Sequence, residues 1–247
     1  MERITSRSNP TVRFLRSLGA DAGLRAAEGL MLCRGKKLLG EALGAGLAVD
    51  TVVFAGDAAP EAGGAKLISV PADLLDYISK GEPELLFSCR IPESRGAVGS
   101  AVVLEEVQDP GNVGTVIRTA AAFGVDTAIL VGATADPYGP KALRAAMGAA
   151  FRINIVRTDL SGLAGVLEEN GLTLFAAVLS EDASDIRTLE RAPRMALAVG
   201  NEGHGLSDGL TALCRKKIII PMRESAESLN AAAAAAVALW ELFGKEL

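Results

Sequence analysis

The feature that most constrains this chain is a series of short, unbroken apolar runs in its second half. Ala101–Val107, Thr127–Val131, Ile153–Val156, Leu172–Leu179, Met195–Val199 and Lys217–Ile220 are mostly aliphatic and do not alternate with polar residues. A strand with one wet face alternates, whereas a strand covered on both faces reads as a continuous apolar run. Segments of helical periodicity lie between the runs: Val113–Phe123, Lys141–Ala150, Leu160–Glu169 and Leu229–Phe243. Strand followed by helix, several times over, predicts a mostly parallel sheet with helices on both faces. Ligands of such sheets gather beyond the carboxyl ends of the strands. The loops after Val107, Val199 and Ile220 are therefore where chemistry is expected.

The first third of the chain is separated by Ile91–Ser100, punctuated by Pro92, Gly96 and Gly99 and with little to bury. This is the predicted linker, and it divides the chain into a small α/β domain over 1–95 and a larger domain over 96–247. In the small domain the pattern predicts a helix near 11–18, an extended piece near 30–33 and a helix over Lys36–Leu43. Strands at Val49–Phe54 and Lys66–Val70 follow, then a helix opened by Pro71. Residues 1–40 hold eight basic and three acidic residues, a local balance of +5 within a chain whose net charge is -5. That surface suits phosphate groups as well as it suits an ordinary solvated helix face. The overall charge rules out a highly basic DNA-coating protein.

Several classes are excluded. The first residues, Met-Glu-Arg-Ile-Thr-Ser-Arg, lead into no apolar signal core. The longest apolar run, Ala231–Trp240, falls well short of the roughly 18–20 residues a membrane helix needs. A cytoplasmic protein without a membrane partner is expected. Cys33, Cys89 and Cys214 are odd in number and widely spaced, so neither a disulfide framework nor a thiolate zinc site is supported. The single histidine, His204, cannot build a multi-histidine metal site, and no metal is expected.

The three loops are unusual. The first reads Gln108-Asp109-Pro110-Gly111-Asn112, with a turn at Asp109–Gly111, Asn112 as the expected cap and Val113 opening the helix. Arg118 follows about two turns in, and on pattern alone it reads first as a solvent-facing arginine. The second reads Gly200-Asn201-Glu202-Gly203-His204-Gly205, and its glycines leave the backbone bare for close approach of a ligand. It has neither the dinucleotide fingerprint nor the triphosphate-cradling loop order. The third runs from Pro221-Met222 to Ser228-Leu229-Asn230 and then six alanines. Ser228 or Asn230 suits a helix cap.

Together the three segments resemble the SpoU/TrmH branch of the SPOUT RNA methyltransferases. The family's first motif, DPxNxGxxxRTAxxFG, is matched from Asp109 through Asn112 and Arg118 to Phe123-Gly124. Its second, GxExxG, is matched by Gly200 to Gly205, and its third by Ile220-Pro221-Met222 with Ser228-Leu229-Asn230. Asp136-Pro137-Tyr138 through Arg144, Gly148-Ala149 and Phe151 extend the match, which covers 101–243. Residues 1–95 resemble the small ribosomal-protein-like substrate-binding domain that precedes this catalytic domain in many members. The chain departs from the usual pattern at Arg34, Ala146 and Ala231-Ala232.

The resemblance implies a deep trefoil knot in the C-terminal domain, one of the rare exceptions to unthreaded topology. It implies a homodimer that binds S-adenosylmethionine, methylates a ribose 2'-hydroxyl of structured RNA and releases S-adenosylhomocysteine. Ribosomal RNA is favoured over transfer RNA, and DNA is not expected. Arg118 would be catalytic, with Asn112 orienting the ribose or Arg118, and Glu202 positioning Arg118 or a dimer-related loop. Ser228 and Asn230 would shape the reacting site. The cofactor would lie on backbone groups around Leu179, Val199, Gly200, Asn201, Gly203, Ile220, Met222 and Leu229. Arg7, Arg13, Arg16, Lys36 and Arg144 would hold the RNA. A catalytically silent RNA-binding protein is the alternative. A small-molecule α/β enzyme would need a nucleotide fingerprint or a nucleophile triad, and neither is found.

Overall fold

The computed structural model describes residues 1–81, 83–95, 99–190, 192–223 and 228–246. Two compact units emerge, and the division is not a single cut along the chain. Met1–Glu93 and Asp136–Arg152 form the first unit, and Ser94–Ala135 and Ile153–Leu247 form the second. Of the predicted linker, residues 96–98 lie outside the described residues.

The first unit contains β1 (Glu2–Arg3), α1 (Pro10–Ala20), α2 (Ala22–Glu28), β2 (Leu30–Arg34), α3 (Lys36–Gly44), β3 (Val49–Ala55), β4 (Lys66–Val70), α4 (Ala72–Ser79) and β5 (Leu85–Arg90). Its sheet has the order β1-β4-β3-β5-β2, parallel across β1, β4 and β3 and antiparallel across β3, β5 and β2. Asn9 caps α1, accepting from the Thr11 amide at 2.8 Å, and Pro10 follows at the first helical position, where its missing N–H costs nothing. Val12, Leu15 and Leu18 then form the apolar stripe that packs with Ile68, Leu74 and Leu86 in one core. The sequence reading missed α2 and β5. Asp21 ends α1 through its backbone and caps α2 through its side chain, so two helices meet at one residue without a breaker between them.

The second unit is built on β6 (Ala101–Glu105), α5 (Pro110–Ala122) and β7 (Thr127–Val131). The chain next supplies α6 (Pro140–Ala146) to the first unit. It returns with β8 (Asn154–Thr158), α7 (Leu160–Asn170), β9 (Thr173–Ala177), β10 (Ser184–Asp185), β11 (Met195–Val199), α8 (Asp208–Leu213), β12 (Lys216–Ile219) and α9 (Ala231–Phe243). Among the described residues its seven strands are all parallel, in the order β10-β12-β9-β11-β6-β7-β8. Every residue of β6, β7 and β11 is buried, which is why these strands read as continuous apolar runs. The charged exception is Glu105, whose carboxylate accepts from the Ser207 amide at 2.7 Å and from its hydroxyl at 2.6 Å. A buried carboxylate is tolerated when it is bonded in this way.

Segment 136–152 belongs to the first unit through specific bonds. Arg25, almost fully buried, places Nε and Nη2 at 2.7 and 2.5 Å from one Asp136 oxygen, and its Nη1 donates to the Leu18 carbonyl at 2.7 Å. Arg152 pairs with Glu41 at 2.7 Å. The helix expected over Lys141–Ala150 stops at Ala146 because Met147 and Gly148 both take left-handed backbone, and a short 3-10 turn follows at Ala149–Phe151. Among the described residues no helix is long and apolar enough to cross a membrane.

Candidate functional site

The loop after β6 begins with Glu106 in left-handed backbone (φ 53°), which ends the strand two residues before the expected Val107. Asp109, not Asn112, caps α5, because its Oδ1 accepts from Gly111 N at 2.6 Å and Asn112 N at 3.1 Å. Pro110 opens the helix, so the expected turn is already its first turn. Asn112 is thereby freed from capping and offers its amide to other elements.

The loop after β11 is closed by a pair of backbone bonds, Asn201 N to Gly205 O and Gly205 N to Asn201 O, both 3.0 Å. The Asn201 side chain fixes both sides of the loop. Its Nδ2 donates to the Glu106 carbonyl at 2.8 Å, and its Oδ1 accepts from the amides of Gly203 at 2.7 Å and His204 at 3.3 Å. Gly200 is required sterically, since a Cβ there would lie within 3.0 Å of backbone atoms of Gly205 and Leu206. Gly205 has a φ of +73° and faces open space.

In the third segment, residues 224–227 lie outside the described residues. Asn230 is the cap of α9, its Oδ1 accepting from Ala232 N at 2.9 Å and Ala233 N at 3.3 Å, so the helix starts two residues after the expected Leu229.

These loops meet through side chains. Asn112 Nδ2 donates to Glu202 Oε1 at 2.8 Å, and Asn230 Nδ2 donates to Asn112 Oδ1 at 3.2 Å. The Gln108 amide donates to the other Glu202 oxygen at 3.4 Å. Desolvation pushes the Glu202 carboxyl up, but the Asn112 amide and neighbouring backbone N–H groups outweigh it and hold the group below its ordinary range. One carboxylate thus ties the first two loops together, and Asn112 passes the linkage to the third. His204 Nε2 lies 3.6 Å from the Glu106 carboxylate.

Beside this chain of bonds is a cavity of about 630 Å³. Leu179, Val199, Gly200, Asn201, Gly203, Ile220, Met222 and Leu229 all line it, as do Glu202, Ser228 and Asn230. Leu179 and Leu229 are 59% and 39% exposed, so two large apolar side chains stand open at its edge. Bare loop backbone, apolar walls and a few fixed polar groups suit a ligand with a flat hydrogen-bonding edge and an apolar body.

Arg118 does not join this cluster. It is exposed on α5, lies outside the cavity lining and makes no hydrogen bond or ion pair with a described residue. The carboxylate expected to position it, Glu202, is held by Asn112 instead. Sequence reasoning also missed Glu106, whose carbonyl anchors Asn201, and the Glu105–Ser207 clamp. The only sequence signal for either was a pair of glutamates ending an otherwise apolar strand.

Within the first unit, Arg7 lies 3.6 Å from Asp73 with its guanidinium 4.7 Å from the Tyr77 ring centroid. Arg16 stacks on the same ring at 3.9 Å and donates to the Tyr77 carbonyl. Arg13, Lys36 and Arg144 are exposed. Among the described residues there is no group of three or more His, Cys, Asp or Glu placed to hold a metal ion.

Comparison with known proteins adds independent findings. The profile of the SpoU rRNA Methylase family matches residues 99–240. The 23S rRNA (guanosine(2553)-2'-O)-methyltransferase RlmP of Bacillus subtilis is 38% identical over 157 residues, an alignment spanning 63% of this chain and 63% of that relative. An uncharacterized tRNA/rRNA methyltransferase of Synechocystis is 32% identical over 96% of this chain and 92% of its own length. Among solved structures, an AdoMet-bound rRNA methyltransferase from Sinorhizobium meliloti superposes with a TM-score of 0.89 at 30% identity. That superposition covers 100% of this chain and 98% of the other.

Proposed function

Because this chain belongs to the SpoU rRNA Methylase family, we propose that it transfers a methyl group from S-adenosylmethionine to a ribose 2'-hydroxyl of structured RNA, ribosomal RNA before transfer RNA. The observation that carries this is the Glu202–Asn112–Asn230 chain of bonds, which joins three separate loops at the edge of one half-apolar cavity. The names of the relatives and of the superposed structure support the same donor and substrate class.

When bound, S-adenosylmethionine supplies an electrophilic sulfonium methyl and leaves as S-adenosylhomocysteine. The chain's own residues have to align the hydroxyl and ease loss of its proton. Arg118 acts as a cation beside the developing alkoxide while water or a phosphate takes the proton. Asn112 orients the ribose, held in place by Glu202, and Ser228 and Asn230 shape the reacting side. The loops around Leu179, Gly200–Gly203, Ile220–Met222 and Leu229 hold the donor.

Arg118 stands outside its own chain's cavity lining, and we therefore assign the cavity of one protomer to the Arg118 of a second in a homodimer. Exposed Val237 and Trp240, three residues apart on α9, supply apolar surface for such a contact. The C-terminal segment forms a trefoil knot in this reading. The order β12-β9-β11-β6 and the packing of α9 on α5 are consistent with that threading. Residues 1–95, joined by segment 136–152, act as the RNA-holding unit and the rest of 96–247 as the catalytic one, working in the cytoplasm. Arg7, Arg13, Arg16, Lys36 and Arg144 meet the RNA.

The test is transfer of a tritiated methyl group to total RNA from cells lacking the gene. Arg118→Ala should abolish transfer while donor affinity, read by calorimetry, stays within a few-fold. Loss of donor binding by the folded variant would show Arg118 to be misplaced. A wild-type protein that ignores both donor and demethylated product would end the proposal.

A further inference from the structure

The first unit contains a second cavity, of about 360 Å³, far from ordinary in its charge. Arg16, Arg34, Lys80, Lys141 and Arg144 line it, and no carboxylate occurs among its described lining residues. Arg16, Arg34, Lys80 and Arg144 form no ion pair with a described residue. Two of the cations are held in place by groups that leave their charge intact. Arg16 donates to the Tyr77 carbonyl and stacks on its ring, and Arg34 donates to the Ser79 carbonyl. Arg34 Nε is buried and has no hydrogen-bond partner among the described residues. Desolvation, and then the charge of Arg144, pushes the Arg34 guanidinium below its ordinary value. Like charges gathered around one partly buried space repel, and an anion placed there relieves both the repulsion and the open donor.

We propose that this cavity holds a phosphodiester group of the substrate RNA, an inference that rests on reading the protein as an RNA methyltransferase. The chemistry follows from the donor set. Guanidinium forks match phosphate oxygens in pairs, and ammonium groups add point charge. Arg34 and Lys80 thereby join Arg16 and Arg144 in one partly buried anion site, rather than the RNA resting on a diffuse basic surface.

The experiment compares the wild type with a Lys80→Asn, Arg144→Gln variant. A Lys66→Gln, Lys245→Gln control loses the same charge at residues already paired with Glu2 and Glu241. A labelled single-stranded RNA of mixed sequence is titrated between about 0.05 and 0.2 M KCl. The cavity variant should bind about tenfold more weakly and lose roughly 0.7 to 1.4 from the log–log salt slope, one to two single-strand phosphate contacts. The control should keep the wild-type slope. Equal losses in variant and control, or an unchanged slope in the variant, overturn the site. Inorganic phosphate binding that is lost in the variant while RNA binding is unchanged identifies a free-phosphate pocket and also overturns it. If the double variant does not fold, Lys80→Asn alone takes its place with a loss of about one contact. Calorimetry with S-adenosylmethionine on the same proteins separates the two ideas. A slope change without donor binding refutes the methyltransferase reading and leaves the phosphate site standing.

Discussion

Substituting Gly200 tests whether the second loop is held by backbone contact. A Cβ at this position would lie within 3.0 Å of the Gly205 carbonyl carbon and oxygen and of the Leu206 nitrogen. These are main-chain atoms, so no side-chain rotation relieves the clash. Overpacking of this kind costs about 1–3 kcal/mol. Separating the strands of the loop also removes the two 3.0 Å bonds between Asn201 and Gly205, at about 1 kcal/mol each. Gly200→Ala should therefore destabilise the protein by about 3–5 kcal/mol. Gly205→Ala is the matched comparison. Its left-handed backbone penalises alanine by about 1–2 kcal/mol, but the new methyl group meets nothing within 4 Å. Urea denaturation of the two variants measures the difference, and calorimetry with S-adenosylmethionine reports whether the cavity survives. The donor should bind Gly200→Ala at least about tenfold more weakly, equivalent to 1.4 kcal/mol. Equal stability losses, or a milder effect at Gly200, would refute the claim that loop backbone contact builds the cavity.

Asp136→Ala removes the partner of an almost fully buried arginine, and loss of one side of a buried pair should cost about 3–5 kcal/mol by thermal or urea unfolding. A cost below about 1 kcal/mol would place the Arg25–Asp136 pair among ordinary surface bridges. Glu202 has a depressed folded-state carboxyl value, so its clamp on Asn112 contributes fully above the ordinary carboxylate range and is lost as pH falls through the depressed value. Stability curves of wild type and Glu202→Gln should converge in that acidic window and separate above it. Parallel curves at all pH values would contradict the assignment.

The parallel sheet of the second unit was legible in the sequence because burial on both faces leaves a compositional mark. β6, β7 and β11 are buried at every residue, and each read as an apolar run. Short or mixed elements left no such mark. β5 carries no clear strand signal because its apolar start gives way to Ser88, Cys89 and Arg90, although it pairs antiparallel on both sides. α2 and α8 have seven and six residues, too few for helical periodicity to declare itself. Asn112 has the residue type of a cap, yet Asp109 reaches the free amides first.

From residue types and their order alone came the strand–helix alternation, the three loops that matter and the resemblance carried by their motifs. Those properties are local, set by which side chains must be buried and which backbone positions must stay bare. Only the folded chain decided that Glu202 holds Asn112 from 90 positions away, that Asn230 reaches Asn112 from 118 away, and that Arg118 stands apart from both. Hydrogen bonds depend on distances of a fraction of an ångström between groups remote in sequence, and no periodicity encodes those distances.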